Sequence, residues 1–100
     1  MTYLIVVRRL AERDLEEAED WYNQQQPGLS AELRGAISAL FGRLTDNPRI
    51  YPRVHGDVHR AVLRRFPYLV YFLIEGSNVI VLAVLGSSRD PRVHRERSGA

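Results

Sequence analysis

Six residues in the second half of the chain have side chains that could bind or act on an anionic partner. All fourteen basic residues are Arg, whose planar, permanently charged guanidinium pairs with phosphate or carboxylate oxygens. His94 could in addition serve as a general base. The other interpretation is that these are solvated surface side chains without a partner. The candidate set is Arg60, Arg64, Arg65, Arg89, Arg92 and His94.

The charge is unevenly distributed along the chain. Residues 1–47 contain five Arg and eight Asp or Glu, whereas residues 48–100 contain nine Arg and four Asp or Glu. The formal net charge of +2 therefore conceals a dipolar chain with a basic second half. Because that half also contains the strongest strand patterns, we expect a basic face on the sheet, which favours an anionic partner.

Three consecutive predicted strands position most of the candidate arginines. Alternating Arg and apolar residues predict an edge strand over Val58–Phe66, with Arg side chains reaching solvent. Nearly continuous apolar runs predict central strands over Tyr68–Ile74 and Val79–Leu85, which a Gly-containing link joins into an antiparallel hairpin. Tyr68 and Tyr71 have opposite parity on their strand, so at most one of them faces the helices.

The first half of the chain must cover these strands. A short apolar run predicts a strand over Tyr3–Val7. Apolar residues at helical spacing predict one helix over Leu10–Gln25 and a second from Ser30, its candidate N-cap, to about Leu44. The Pro27-Gly28 link between them predicts an antiparallel helix hairpin. The carboxylates of the first helix are interpreted as a solvated face, and Trp21 and Tyr22 as core residues: Glu12, Asp14, Glu16, Glu17, Glu19 and Asp20 form that acidic face.

The element order is therefore β-α-α-β-β-β, which indicates an α+β fold. The two-helix antiparallel hairpin is expected to pack on one face of a small, four-stranded, mainly antiparallel sheet. The first strand enters the sheet most simply beside the last, and the face away from the helices is left open for a partner. We expect one domain over residues 1–97 and disorder over residues 98–100.

Several classes of site and location are disfavoured by composition. The chain has no Cys, which excludes disulfides and thiolate metal sites and fits a reducing cytoplasm. His55, His59 and His94 are scattered and are interpreted as surface histidines, so no metal or other cofactor is expected. The absence of a signal-peptide pattern and of an apolar run of about 18 residues predicts a cytoplasmic protein without a membrane partner.

Four motifs, in order along nearly the whole chain, resemble the RelE/ParE superfamily of toxins from type II toxin–antitoxin modules. They are residues 11–18 at the start of the first helix, residues 44–48 at the end of the second, the Arg60–Tyr71 hairpin and the Val84–Pro91 ending. The family fold is a helix hairpin on a small, mainly antiparallel sheet. The resemblance also implies a growth-inhibiting toxin that a cognate antitoxin neutralises by binding it.

The superfamily has two functional branches, and the resemblance favours the ParE branch. ParE toxins inhibit DNA gyrase by binding it and need no catalytic set, so the protein would not be an enzyme. The sequences Phe66-Pro67-Tyr68 and Arg89-Asp90-Pro91 are similar to this branch. The residues that would bind the target are Arg60, Arg64, Arg65, Arg89 and Arg92.

The alternative is a RelE-like endoribonuclease that cuts messenger RNA on the translating ribosome. The catalytic set would then be Arg60, Arg64, Arg89 and His94. The chain departs from this branch because Val62 stands where RelE-like enzymes supply a second Lys. The strand that begins at Tyr68 also lacks the Arg of that branch. A third hypothesis is an inactive relative that only binds its antitoxin.

Overall fold

The computed structural model describes residues 2–87 and 96–97, which form two helices on one face of a five-stranded sheet. No helix in this part of the chain has the length and apolar character needed for a bilayer crossing. A single 3-10 turn, Pro48–Ile50, links the second helix to the sheet. The helices and strands are β1 (Leu4–Val7), α1 (Arg9–Gln25), α2 (Leu29–Asp46), β2 (Arg53–His55), β3 (Val58–Val62), β4 (Tyr68–Glu75) and β5 (Asn78–Gly86).

The strand order in the sheet is β1-β5-β4-β3-β2. β1 pairs in parallel with β5, with Val7 opposite Val81, and every other pair is antiparallel. The predicted position of the first strand beside the last is therefore confirmed. The prediction of four strands is wrong by one, because Arg53–His55 forms a fifth strand that pairs with the edge of β3 opposite to β4. β2 has only three residues, follows a proline and pairs in an irregular register, so its sequence pattern is too short to be recognised as a strand.

The helix hairpin forms as predicted, but its turn differs in detail. α2 begins at Leu29, and its N-cap is Gly28 with φ of 90°, not Ser30. Glycine reaches this left-handed conformation without a steric penalty from a Cβ atom. The chain can therefore reverse between Gln25 and Leu29.

The two faces of the sheet carry separate apolar clusters. The helix-side face packs buried residues such as Val70, Phe72 and Val81 against the helices, which contribute Leu33 and Leu40. The opposite face, called the far face below, was expected to be open. It instead carries a second buried cluster, so that expectation is wrong for its centre. The members of the far-face cluster are Val58, Tyr71, Ile80, Leu82, Ala83 and Leu85.

A β-bulge in β5 changes which of its side chains face the helices. Tyr71 lies opposite Ala83, but the next residue, Phe72, lies opposite Val81, so Leu82 is the extra residue. Leu82 and Ala83 consequently both belong to the far-face cluster. Because of the extra residue, Val84 faces the helices and packs in the helix-side core, close to α1.

Candidate functional site

The turn between β3 and β4 carries two of the candidate arginines. β3 ends at Val62, not at Phe66 as predicted. Leu63 and Phe66 both bury in the helix-side core although they are three residues apart, which the alternation of a strand does not permit. Backbone hydrogen bonds from Leu63 N–H to Tyr68 O (3.0 Å) and from Tyr68 N–H to Phe66 O (2.7 Å) close the turn. Arg64 and Arg65 therefore lie on an exposed turn rather than on a strand.

Arg65 is directed toward α2. Its Nη2 donates a hydrogen bond to Oε1 of Glu32 at 2.8 Å. Its guanidinium carbon lies 5.9 Å from the centre of the Phe66 ring, within the range of a cation–π contact. Arg65 thus helps to fasten the turn to the first turn of α2. The Arg64 side chain is exposed and forms no ion pair within the described residues.

Arg60 lies on the other side of the sheet. Its neighbour Ala61 belongs to the helix-side core, and Tyr71, its partner across β4, belongs to the far-face cluster. Arg60 therefore faces the far side, where it is half-buried. Val62 follows on the same face and is 56% exposed. The predicted common strand implied that Arg60, Arg64 and Arg65 form one cluster. In the structure they do not.

Arg89, Arg92 and His94, which were predicted to act near the end of the chain, lie outside the described residues, as do residues 98–100. Ser87 N–H donates to Pro67 O at 2.8 Å, so the chain leaves β5 beside the turn that carries Arg64.

Sequence reasoning missed a pair of residues at the edge of β5. Beyond Val81, β1 no longer covers this edge. There the Asp14 carboxylate accepts a hydrogen bond from Val84 N–H at 2.9 Å and one from Arg97 Nη1 at 2.6 Å. Arg97 Nη1 also donates to Leu82 O at 3.1 Å. The assignment of Asp14 to a solvated face is therefore wrong, and its place within the first motif, residues 11–18, was the available signal.

The histidines differ in environment. His59 was predicted to lie at the surface but is buried, with Nδ1 2.8 Å from Tyr51 O. Because a carbonyl only accepts, this contact requires a proton on Nδ1. The His59 ring stacks on Phe72 with 5.2 Å between ring centres, which gives it a structural role. Residues 2–87 and 96–97 contain no group of three His, Cys, Asp or Glu side chains that could hold a metal ion.

The two neighbouring aromatic residues of α1 also differ in their exposure to solvent. Tyr22 is buried as predicted, whereas Trp21 is 53% exposed, so its assignment to the core is wrong. Trp21 lies next to Tyr68 in a surface groove at the ends of β4 and β5. Tyr68 packs on the helix-side core and Tyr71 in the far-face cluster, which confirms their predicted opposite orientations.

Several solved structures share this fold. The structure described as the chromosomal ParDE TA system from P. aeruginosa superposes with a TM-score of 0.75 at 19% identity, covering 85% of this chain and 96% of that chain. The RelBE2 toxin–antitoxin complex from Mycobacterium tuberculosis gives a TM-score of 0.59 at 22% identity, with coverage of 86% and 99%. A doubly substituted E. coli RelE toxin in the free state gives 0.61 at 19% identity, with coverage of 99% and 97%. At these identities the likeness concerns the fold.

The comparison at the sequence level is more specific. No curated protein matches the chain. A family model described as the ParE toxin of the type II toxin–antitoxin system parDE matches residues 5–91. The match begins in β1 and continues past the end of β5, so it includes the helix hairpin, the Arg64 turn and all of the sheet except Leu4. On this match the chain belongs to the family of ParE toxins of type II toxin–antitoxin systems.

Proposed function

We propose that this toxin acts by binding and inhibiting DNA gyrase. The observation that carries the proposal concerns the far face of the sheet. There, β3 presents the cation of Arg60 beside the exposed apolar side chain of Val62. A cation next to an exposed apolar side chain suits a protein interface.

The proposed target-binding surface extends from β3 around the β3–β4 turn to the end of β5. Arg64 is its central residue, because it is exposed and unpaired among the described residues. The hydrogen bond between Ser87 and Pro67 brings the start of the following segment close to this turn, which supports the inclusion of Arg89 and Arg92. Arg60 extends the surface onto the far face, and Arg65 contributes at its helix-side border.

The proposed inhibitor of the toxin is a cognate antitoxin, as in the ParDE and RelBE2 complexes. A groove of about 360 Å³ between the two helices is a suitable docking place for an apolar antitoxin segment. Leu15, Leu33, Ile37 and Phe41 line it, and the 2.6 Å ion pair between Arg34 and Glu19 borders it. An antitoxin segment that folds on binding would bury this apolar surface.

A gyrase cleavage assay tests the proposed target. Purified, antitoxin-free protein is incubated with gyrase, supercoiled plasmid and ATP, and we expect protein-linked linear DNA to accumulate. The variant Arg64→Ala should lower this accumulation. Arg53→Ala is the control, because Arg53 is also an exposed arginine but lies opposite His59 and so faces the helix side of the sheet, away from Arg60.

The opposite result has a defined meaning. A folded protein that leaves gyrase unaffected but cleaves messenger RNA on translating ribosomes would replace the proposal by the endoribonuclease hypothesis. In that case Arg60→Ala should abolish cleavage. A folded protein that has neither activity and causes no growth defect on expression would be an inactive relative that binds only its antitoxin.

A further inference from the structure

A groove with aromatic walls lies between α1 and the adjoining ends of β4 and β5. It consists of two neighbouring pockets of about 280 Å³ and about 230 Å³, both of which Trp21, Tyr68 and Gly86 line. Glu17 borders the first pocket, and Tyr22 and Pro67 border the second. The proposed target-binding surface adjoins this groove at Pro67 and Ser87, but Arg60, Arg64 and Arg65 do not line it. The gyrase proposal therefore gives no role to Trp21.

Trp21 is fixed in place although it is exposed. Its ring meets that of Tyr22 edge-on, with 4.8 Å between ring centres and an angle of 87°. Tyr22 is buried and makes a further edge-on contact with Phe66 at 5.1 Å. The indole N–H has no hydrogen-bond partner among the described residues. A large aromatic side chain that is already ordered loses little conformational entropy on binding, which is a property of interface hot spots.

The charge beside Trp21 is negative. Glu17 lies one helical turn before Trp21 and shares its face of α1, as their common pocket shows. Glu17 is exposed and forms no ion pair with the described residues. Asp14, in the same pocket, is already engaged by Arg97 and Val84. The groove therefore offers one uncommitted carboxylate next to an aromatic face.

An aromatic face and a carboxylate four residues apart on a helix are together complementary to a cationic side chain. The ring attracts a cation through its negative face, and the carboxylate pairs with the same cation. We propose that this groove binds a partner protein segment that presents an arginine or lysine side chain, with the cation over Trp21 and paired with Glu17. The groove would in contrast repel an acidic segment, so it is distinct in specificity from the basic surface around Arg64.

The experiment uses the intrinsic fluorescence of the protein. Trp21 is its sole tryptophan, so its emission reports on this groove alone. The purified protein is titrated at low salt with a nine-residue peptide of alternating arginine and glycine, capped at both ends. The same peptide with glutamate in place of arginine is the control ligand. We expect a saturable change in emission with the arginine peptide and no change with the glutamate peptide.

Two variants locate the site. Glu17→Gln should weaken binding of the arginine peptide by about threefold to fivefold, as expected for an exposed cation contact. Glu12→Gln removes an equivalent exposed carboxylate from another face of α1 and should leave binding unchanged. An unchanged emission with the arginine peptide, an equal response to the glutamate peptide, or wild-type binding by Glu17→Gln would each overturn the proposal. None of these measurements depends on gyrase or antitoxin.

Discussion

The carboxylate of Asp14 and the guanidinium of Arg97 form a two-point ion pair, with Arg97 Nη1 2.6 Å from Oδ2 and Nη2 3.2 Å from Oδ1. Both side chains are largely buried, at 10% and 17% exposure. The pair lies where β1 ends and the edge of β5 would otherwise have unpaired backbone groups. Asp14 satisfies the N–H of Val84, and Arg97 satisfies the carbonyl of Leu82. These two side chains thus supply hydrogen bonds that a neighbouring strand would otherwise make at this part of the β5 edge.

The first prediction concerns this pair. Asp14→Ala should lower the free energy of unfolding by about 2–4 kcal/mol, because it leaves the Val84 N–H without an acceptor and the largely buried Arg97 guanidinium without its carboxylate partner. Asp14→Asn should cost less, since its amide oxygen still accepts from Val84. Urea unfolding measures both, with the exposed Glu12→Gln as control. An Asp14→Ala variant as stable as the wild type would contradict this role.

The second prediction concerns the helix turn. Gly28→Ala places a Cβ on a residue with φ of 90° and should destabilise the protein by about 1–2 kcal/mol. Gly35→Ala is the matched control, because Gly35 lies inside α2 with open space around its Cβ position. It should stabilise the protein by about 0.5–1 kcal/mol. Thermal unfolding checks the opposite signs, and equal shifts in one direction would refute the argument.

The third prediction separates the two contacts of His59. His59→Phe keeps an aromatic ring on Phe72 but removes the hydrogen bond to Tyr51 O, so we expect a loss of about 1 kcal/mol. His59→Ala removes the ring as well and leaves a cavity, so the loss should reach about 2–4 kcal/mol. Chemical unfolding measures both variants. If the two variants lose the same stability, the ring contact with Phe72 contributes nothing.

The fourth prediction concerns activity and rests on the proposed gyrase target. Val62→Glu puts a negative charge two residues from Arg60 on the far face and should reduce DNA cleavage by gyrase. Because Val62 is exposed, the unfolding free energy should change by about 1 kcal/mol or less. Val62→Thr keeps the β-branched shape without charge and should retain activity. A folded Val62→Glu protein with full activity would exclude this position from the interface.

Most of the secondary structure follows from local patterns in the sequence. The helical spacing of apolar residues and the runs of β4 and β5 predict the elements to within a few residues. The errors occur where a pattern is too short or is interrupted. β2 has three residues, and β3 stops at Val62 because Leu63 and Phe66 must both reach the helix-side core.

The candidate site was predictable in composition but not in arrangement. The sequence identified Arg60, Arg64 and Arg65 as a basic group, yet it placed them on one strand. In the structure Arg60 faces the far side, Arg64 is exposed on a turn, and Arg65 pairs with Glu32. Sequence spacing predicts which face of the sheet a side chain points to only within one continuous strand. It therefore cannot predict the orientation of Arg64 and Arg65, which follow the end of β3.

By itself, the sequence determined the α+β class, the helix hairpin, the order of the main strands and the resemblance to a toxin family. Only the tertiary structure decided which polar residues are buried and which aromatic residue is exposed. Asp14 and Arg97 are 83 residues apart, and Trp21 on α1 lines a pocket together with Tyr68 on β4. Local periodicity reflects neighbours within a few residues. Contacts between distant segments depend on strand order and on where each strand ends.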